Sequence, residues 1–319
     1  MQGSALTAAG YDSDIDQLLP DGITIGQYID AVHHRDGIFS EVYKAKAPKA
    51  ISMFRDLDKG KNRAVAVKVT HPSAMTPPHD SKRESRLLKK AACTFVIPLL
   101  ESFAQAGGRY VLTFPFMPYD LETLLRNGQV TARHAKACLY DLFSALDFIH
   151  GAGIIHRDIK PANILLRSPS GPAFLADFGT AWMKGDSGSE PEDGKILDVG
   201  TTSYRPPELM FGNQRYGTAL DMWAAGCVAA QMVSLGSKTL FESGDLGSDL
   251  ALIKSIFETL GTPTLENWPV SLHLKWRSST STNETAGSDH FQRLGQNEVH
   301  RVSRQKLERN LTEGQRRRP

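Results

Sequence analysis

The chain has 319 residues, of which 40% are hydrophobic and 23% charged, and its formal net charge at pH 7 is +2. These values are typical of a soluble globular protein that is long enough to bury the cores of two lobes. So small a net charge indicates neither a nucleic-acid nor a membrane partner, and the three scattered cysteines indicate neither a disulfide framework nor a metal cluster. The first residues lack a basic segment followed by an apolar run, so we expect a location in the nucleus or the cytoplasm.

The first third of the chain predicts a β-sheet interrupted by one helix. Strands are indicated by apolar alternation or short apolar runs at Gly22–Tyr28, Glu41–Ala45, Arg63–Val69, Phe95–Leu100 and Tyr110–Phe114. The mixed-charge segment 47–63 predicts an enlarged hairpin loop. A helix is predicted over Ser81–Lys89, where Glu84 and Leu88 lie one turn apart and therefore share a face.

The rest of the chain predicts helices separated by loops. Apolar residues at helical spacing indicate a helix from Thr131 to His150, and the glycine-containing, hydrophilic segment 180–201 predicts a long loop. Another helix is indicated from Leu250 to its stop at Gly261. Residues 270–319 contain scattered apolar residues and many charges, so we interpret them as a divergent tail that need not be ordered.

Two short runs carry the groups that phosphoryl transfer requires. They are His156-Arg157-Asp158-Ile159-Lys160-Pro161-Ala162-Asn163 and Asp177-Phe178-Gly179. Phosphoryl transfer depends on positioning and charge neutralisation, which a carboxylate base, a lysine and oxygen ligands for a hard cation can supply. A polar turn between buried strands would explain a lone Asp-Phe-Gly, but it would not explain both runs in this order.

Together the two runs resemble the catalytic and metal loops of eukaryotic protein kinases. The resemblance implies an α+β, two-lobed protein kinase-like fold, with a small antiparallel β-sheet lobe that carries one helix, a larger helical lobe, and ATP held between them. It also implies that Asp158 accepts the proton of a Ser or Thr hydroxyl while Lys160 steadies the transferring phosphoryl group. Asn163 and Asp177 would supply oxygen ligands to Mg²⁺.

The resemblance gives a domain scheme for the chain. It assigns residues 1–22 to an N-terminal extension, 23–269 to the kinase domain and 270–319 to the tail. Within the kinase domain it places a small lobe at about 23–114, a hinge at 115–120 and a large lobe at 121–269.

Several residues match nucleotide-binding positions of the family. Val65-Ala66-Val67-Lys68 resembles the kinase lysine motif, so Lys68 would reach the α and β phosphates with Glu84 as its ion-pair partner. At the hinge, the Pro115 carbonyl and the Met117 N–H would contact the adenine. Asp120 would reach the ribose.

The glycine-rich loop that covers the phosphates in kinases is reduced in this chain. Register on Val42, itself a predicted nucleotide contact, places the three glycine positions at Arg35, Gly37 and Ser40. Ser40 is small enough to let the backbone approach a phosphate, whereas the Cβ of Arg35 restricts the turn. We expect ATP binding to persist through Gly37 and Ser40, with weaker closure over the phosphates.

The substrate side points to a subgroup of kinases. The run from Gly200 to Glu208 resembles the protein-substrate loop, in which Thr201 would hydrogen-bond near the catalytic aspartate and lysine, as in Ser/Thr kinases. Asp221 matches the aspartate of the central helix that holds the catalytic-loop backbone. The run Leu250–Pro269 resembles cyclin-dependent kinases.

Two departures from that group stand out. Counting back from Glu208 places Ile196 where cyclin-dependent kinases carry their activating threonine, whose phosphate Arg157 would bind. A permanent negative partner for Arg157 could instead come from Glu190, Glu192, Asp193 or Asp198. In addition, the arginine that pairs with Glu208 in the family has no clear counterpart, and Arg301 and Arg304 are the candidates.

The missing cyclin-binding signature, the reduced glycine-rich loop and the absent phosphorylation site together resemble the fungal monomeric kinases that activate cyclin-dependent kinases (CDKs) by phosphorylating their activation-loop threonine. The resemblance implies ATP and Mg²⁺ as cofactors, a CDK as protein substrate, and a monomer. The family's cyclin-binding residues are not present, which argues against dependence on a cyclin. Two alternatives stay open: a CDK-like kinase with other protein substrates, or a catalytically impaired kinase-fold scaffold with a defective C-terminal region. The protein-substrate loop disfavours a small-molecule kinase.

Overall fold

A computed structural model describes residues 22–48, 64–234 and 236–263. The chain forms two compact units, the first made of residues up to Met75 together with Pro98–Phe116, and the second of Thr76–Ile97 and the residues from Met117 onward. Most of the expected N-terminal extension, most of the enlarged hairpin loop and the whole expected tail lie outside the described residues. In the three described ranges, no helix combines the length and apolar character that crossing a membrane requires.

The first unit is an antiparallel sheet of six strands. They are β1 (Ile23–Ile25), β2 (Tyr28–Gly37), β3 (Ser40–Lys46), β4 (Ala64–Thr70), β5 (Glu101–Gln105) and β6 (Arg109–Pro115), in the spatial order β1-β2-β3-β4-β6-β5. Strand β4 shows why the register is well defined, because Val65, Val67 and Val69 are buried on one face while the residues between them are partly exposed. Tyr28, also buried, shares a hydrogen bond of 3.1 Å with the Thr113 hydroxyl.

The strand predicted at Phe95–Leu100 is wrong, since β5 begins only at Glu101. Phe95 and Ile97 instead exchange backbone hydrogen bonds of 2.9 Å with Leu175. Pro98 follows directly and has no N–H to continue a ladder. This apolar run, which Pro98 interrupts, therefore forms one bridge to Leu175 rather than a strand.

The second unit is mainly helical. Its helices are α1 (Ser81–Lys90), α2 (Leu121–Arg126), α3 (Ala132–Gly151), α4 (Pro207–Met210), α5 (Ala219–Val233) and α6 (Asp249–Leu260). Its short strands are β7 (Tyr119–Asp120), β8 (Ile154–Ile155), β9 (Ile164–Leu166), β10 (Ala173–Leu175) and β11 (Trp182–Met183). Strands β7, β9 and β10 form one small sheet in the order β10-β9-β7, and β8 pairs with β11.

Local sequence signals explain the helix ends. The Asp80 side chain accepts from the N–H groups of Lys82 and Arg83 and so caps α1, and the Thr131 side chain caps α3 in the same manner. Helix α6 ends at Gly261, whose φ of 91° closes the last turn. The predicted α+β fold, with an antiparallel sheet in one part and helices in the other, is confirmed.

Candidate active site

The hairpin formed by β9 and β10 brings the two predicted metal ligands to the same end of the strands. Ile164 pairs with Leu175 across this antiparallel hairpin. The Ala176 N–H continues the ladder by donating to the Asn163 carbonyl at 2.9 Å. Asn163 therefore comes directly before one strand, and Asp177 follows the other by two residues.

Asp158 is the centre of a group of hydrogen bonds that uses both of its carboxylate oxygens. Oδ1 accepts from the Thr201 hydroxyl at 2.9 Å, while Oδ2 lies 2.8 Å from the Lys160 ammonium and accepts from the Asn163 amide at 3.0 Å. Lys160 also donates to the Thr201 hydroxyl at 2.8 Å. The structure thus joins the four predicted catalytic residues, because Lys160, Asn163 and Thr201 each contact Asp158.

The backbone beside Asp158 is held by a buried carboxylate from helix α5. Asp221 accepts from the Arg157 N–H at 2.9 Å through Oδ1, and from the His156 N–H at 2.8 Å through Oδ2. His150 at the end of α3 contacts Oδ2 at 2.9 Å. Arg157 has a φ of 70°, a left-handed conformation that is unfavourable for a residue with a side chain. The contacts of Asp221 therefore stabilise a strained turn that orients Asp158.

The donor atoms at the end of the β9–β10 hairpin fit a magnesium ion. The Asn163 side-chain nitrogen donates to the Asp158 carbonyl at 2.8 Å and to its carboxylate, so the amide oxygen is the atom left to bind a cation. Asp177 is exposed. Magnesium takes oxygen ligands, and it usually needs only one or two from protein because it keeps waters and binds substrate phosphates. Within the described ranges, no three or more His, Cys, Asp or Glu side chains group as a metal site.

In the first unit, the ladder between β3 and β4 places Lys68 directly opposite Val42. Both residues are partly buried, while Val67 and Val69 on either side of the lysine are buried. Since directly paired residues project from the same face of a sheet, Lys68 and Val42 share the face opposite to those valines. Two of the predicted nucleotide contacts therefore lie together.

The reduced glycine-rich loop is a tight hairpin between β2 and β3. Gly37 pairs with Ser40, and Arg35 pairs with Val42 further along the ladder. A Cβ on Gly37 would lie 2.6 Å from the Ser40 hydroxyl oxygen, so a larger residue there would require the Ser40 side chain to move. Ile38 at the tip is 82% exposed. Arg35 is accommodated because it lies in the strand rather than in the turn.

The remaining nucleotide positions lie at the ends of elements. Pro115 ends β6, where it pairs with Val65, and Met117 is the first residue of the chain to return to the second unit. Asp120 caps helix α2, because its carboxylate accepts from the Thr123 N–H at 2.7 Å and from the Thr123 hydroxyl at 3.0 Å. Its contact with a ribose hydroxyl stays a prediction.

Helix α1 is fastened to residues 180–201, which we call the activation segment. The Arg86 guanidinium makes two hydrogen bonds to the Asp186 carboxylate, at 3.1 and 2.8 Å. This fork-to-fork geometry is the strong form of an ion pair. The hydrogen bond from Arg86 is the main reason that the pKa of Asp186 lies below its ordinary value.

A second arginine of α1 binds backbone carbonyls. Arg83 is 2% exposed and donates to the Gly188 carbonyl at 2.6 Å as well as to the Pro78 carbonyl. Burial lowers the pKa of its guanidinium. Glu84, the predicted partner of the motif lysine, is the next residue and is 1% exposed. The activation segment therefore helps to fix the turn of α1 that carries Glu84.

Of the four acids considered as partners of Arg157, the structure selects Glu190. Both Glu190 carboxylate oxygens accept from the Arg157 guanidinium, at 3.1 and 3.2 Å. Arg157 is completely buried and also donates to the Thr180 carbonyl at 2.5 Å. Glu192 pairs instead with Lys184, Asp198 pairs with Arg205, and Asp193 forms no hydrogen bond or ion pair with described residues.

Ile196, at the expected phosphorylation position, takes part in an apolar contact. It packs with Leu197 against a buried cluster that contains Val199, Leu209, Tyr216 and Leu220. The backbone carbonyl of Ile196 accepts from the Tyr216 hydroxyl at 2.7 Å. The segment is thus anchored here by packing and by one hydrogen bond.

Sequence reasoning missed three residues of this region: Trp182, Lys195 and Tyr216. The Trp182 indole donates to the Glu190 carbonyl at 2.9 Å, and the Arg157 guanidinium donates to the Tyr216 hydroxyl at 3.1 Å. The Lys195 ammonium lies over both aromatic rings. Two aromatic residues near a lysine are too common in sequences to signal such an arrangement.

Glu208 was expected to lack its arginine. It is half-buried, and burial raises the pKa of its carboxyl group. No described lysine or arginine forms an ion pair with it. The candidate partners Arg301 and Arg304 lie outside the described residues.

Comparison of the sequence with known proteins supports the assignment of this site to a protein kinase. The protein kinase domain family matches residues 37–306. Cyclin-dependent kinase 7 of Xenopus laevis is 36% identical over 241 residues, which cover 73% of this chain but only 62% of that protein. Serine/threonine-protein kinase csk1 of Schizosaccharomyces pombe is 32% identical, over 77% of this chain and 78% of that protein.

Two solved structures are similar. A chain in the CAK complex of Chaetomium thermophilum bound to ATP-γ-S superposes with a TM-score of 0.64 at 30% identity, covering 83% of this chain and 79% of that one. A chain of the yeast RNA Pol II CTD kinase CTDK-1 complex gives a TM-score of 0.63 at 25% identity, covering 87% and 85%. The family match over residues 37–306, together with the arrangement around Asp158, shows that the chain belongs to the protein kinase domain family, and its relatives include cyclin-dependent kinase 7.

Proposed function

We propose that this chain is an ATP- and Mg²⁺-dependent serine/threonine protein kinase that phosphorylates the activation-loop threonine of cyclin-dependent kinases. The observation that carries the catalytic part is the contact group of Asp158, Lys160, Asn163 and Thr201. The names of the relatives support the target class.

Asp158 is the group that accepts the proton. A substrate hydroxyl oxygen forms a bond to the γ-phosphorus of ATP, the bond from that phosphorus to the β,γ-bridging oxygen breaks, and the hydroxyl proton passes to Asp158. Lys160, 2.8 Å from the same carboxylate, orients it and offers positive charge to the transferring phosphoryl group. Mg²⁺, for which Asn163 and Asp177 are the expected ligands, offsets the charge of the phosphates when it is bound.

Thr201 supports transfer to serine and threonine. Its hydroxyl bridges Asp158 and Lys160, with distances of 2.9 and 2.8 Å. It thereby holds the catalytic base and the lysine in one geometry beside the run Gly200–Glu208, which resembles a protein-substrate loop.

Activity without a cyclin is supported by the contacts of the activation segment. Glu190 supplies to Arg157 the negative charge that a phosphothreonine would otherwise supply, and Ile196 offers no hydroxyl for phosphorylation. Arg86 and Asp186 hold helix α1 through contacts within the chain. We therefore propose a kinase that is active as a monomer, although the two similar structures are of complexes.

A catalytically impaired scaffold is the second candidate, because Glu208 is half-buried with no ion-pair partner among the described residues. A missing partner would weaken the large helical unit without touching the catalytic group. Other protein substrates form the remaining alternative. The nuclear or cytoplasmic location stays a prediction.

The test is phosphate transfer by the purified chain to an inactive cyclin-dependent kinase, with and without Mg²⁺. We expect transfer that requires Mg²⁺ and that is lost in Asp158→Asn. Asp147→Asn is the matched control, since Asp147 is an exposed aspartate on α3, and this variant should keep wild-type activity. Absence of transfer to this substrate and to a generic serine peptide, from a folded protein, would favour the scaffold.

A further inference from the structure

Lys195 is a buried cation whose contacts are mainly aromatic. The residue is 2% exposed, and its ammonium lies 4.5 Å from the centre of the Trp182 ring and 5.4 Å from that of Tyr216. Its hydrogen bond goes to the Glu192 carbonyl at 2.6 Å rather than to a carboxylate. Burial is the main reason that the pKa of this lysine is lowered.

Burying an ammonium that forms no direct ion pair with a described residue is costly even with the carboxylates of Glu190, Glu192 and Asp193 nearby, and an apolar side chain of the same length would avoid that cost. The attraction between a cation and an aromatic face offsets part of the cost, and it is stronger when the cation is desolvated. A lysine in this environment therefore fixes the rings in a way that simple apolar packing would not.

The two rings beneath Lys195 are the same rings whose polar atoms hold the activation segment. The Trp182 indole donates to the Glu190 carbonyl at 2.9 Å. The Tyr216 hydroxyl donates to the Ile196 carbonyl at 2.7 Å and accepts from the Arg157 guanidinium at 3.1 Å. Each ring thus joins Lys195 on its face to the Arg157–Glu190 pair at its polar end.

An open cavity of about 740 Å³ lies beside these rings, and its lining includes Trp182, Lys195 and Tyr216. Both side chains are buried, with 5% of Trp182 and 2% of Tyr216 exposed, and the cavity beside them offers space into which a ring can turn if its packing is weakened. The Lys195 ammonium, which lies over one face of each ring, would restrict that motion.

We propose that Lys195 is a positioning residue of the activation segment: it clamps Trp182 and Tyr216 so that Glu190 and Ile196 stay in place around Arg157. The inference rests on the proposed kinase activity, but not on the identity of the target. Lys195 acts through the two rings, because the described contacts of its ammonium are with Glu192, Trp182 and Tyr216 and not with Asp158.

The experiment compares Lys195→Met with Lys195→Arg in the full chain. Methionine keeps the length and apolar character of the stem but not the charge, whereas arginine keeps a cation that can lie over a ring. With a generic serine peptide and Mg²⁺-ATP, we expect kcat/KM for the peptide to fall roughly tenfold in the methionine variant and to stay within about twofold of wild type in the arginine variant. The KM for ATP should stay within about twofold in both.

The matched control is Lys184→Met. Lys184 lies on the same segment but is largely exposed and pairs at the surface with Glu192, so its replacement should leave peptide kcat/KM unchanged. A methionine variant of Lys195 that is as active as wild type would overturn the proposal, because packing alone would then suffice. So would an arginine variant that is folded yet as impaired as the methionine variant.

Limited proteolysis tests the proposal even if the wild-type chain has no kinase activity. Cleavage after Glu192 by a glutamate-specific protease should be several times faster in Lys195→Met than in wild type, and slow in Lys195→Arg. If Lys195→Met does not fold, Trp182→Phe and Trp182→Leu replace it: both lose the indole N–H, but phenylalanine keeps an aromatic face for the cation, so its segment should be cleaved more slowly than that of the leucine variant. Equal cleavage of the compared variants would contradict the clamp, whereas an inactive wild type with these differences intact would contradict only the proposed kinase function.

Discussion

The Arg157 guanidinium and the Glu190 carboxylate form an ion pair in which both carboxylate oxygens accept from one guanidinium nitrogen, at 3.1 and 3.2 Å. The arginine is fully buried, while the glutamate side chain is 14% exposed. The pair lies where the residue before the catalytic aspartate meets the activation segment. A permanent negative charge therefore occupies the place that the family resemblance assigns to a phosphate.

Glu190→Ala should lower both activity and stability. It leaves a buried guanidinium without its charged partner, and such a loss costs about 3–5 kcal/mol for a buried pair. We expect peptide kcat/KM to fall by about tenfold or more, and chemical denaturation to show the lower free energy of unfolding. The control is Asp193→Ala, an acid three residues further on that forms no ion pair with described residues. Unchanged activity in Glu190→Ala would refute the role of this carboxylate.

Thr201→Ala should lower kcat more than Thr201→Ser. The hydroxyl donates to Asp158 and accepts from Lys160, and hydrogen bonds to charged groups contribute about 1.5–3 kcal/mol. A tenfold or larger loss of kcat is therefore expected in the alanine variant, at roughly 1.4 kcal/mol for each factor of ten. The serine variant keeps the hydroxyl and should retain most of the rate. Steady-state kinetics with a saturating peptide would check this, and equal rates for the two variants would contradict it.

The Arg86–Asp186 pair predicts a loss of stability in acid. The pKa of Asp186 is lowered in the folded chain, so its contribution is present above the unfolded pKa and is lost as the pH falls through the folded pKa. Asp186→Asn should therefore reduce the free energy of unfolding at pH 7 by about 1–2 kcal/mol. The difference from wild type should shrink as the pH is lowered below 4.

The control for that series is Glu258→Gln, which removes an exposed pair with Lys254 on α6. It should change stability by about 0.5 kcal/mol or less. A constant difference between wild type and Asp186→Asn across the whole pH range would show that the ionised carboxylate is not the source of the stability.

Glu208→Gln should stabilise the chain at neutral pH. The pKa of this carboxyl group is raised by burial, so the folded state binds more protons than the unfolded state above the ordinary pKa. Stability then falls as the pH rises through that window. Thermal unfolding at pH 7 should show a higher Tm for the glutamine variant, by roughly 2–4 °C for each kcal/mol recovered. A lower Tm would reveal a cationic partner outside the described residues.

Much of the site could be predicted because its residues are close in sequence. Asp158, Lys160 and Asn163 belong to one run, and a hairpin returns Asp177 to the same end of the strands. The alternation of apolar residues along Arg63–Val69 also predicts that Lys68 lies on the face opposite to Val67 and Val69, as observed.

What the sequence left open depends on contacts between distant segments. Four acids could have met Arg157, and only the path of the activation segment selects Glu190. Lys195 meets Trp182 and Tyr216, which lie on either side of it in sequence. The run Phe95–Leu100 reads as a strand, but its backbone binds Leu175 instead of a neighbouring strand. Packing between distant segments decides which of these contacts form, and it overrides the local propensity of each segment.

The most direct test of the account is phosphate transfer from ATP to a catalytically inactive cyclin-dependent kinase, with the modified residue located by mass spectrometry. We expect the wild-type chain, alone with Mg²⁺, to phosphorylate the activation-loop threonine, and neither Asp158→Asn nor a substrate with alanine at that threonine to give a product. Equal transfer by wild type and Asp158→Asn would contradict the assignment of Asp158 as the base on which the account depends.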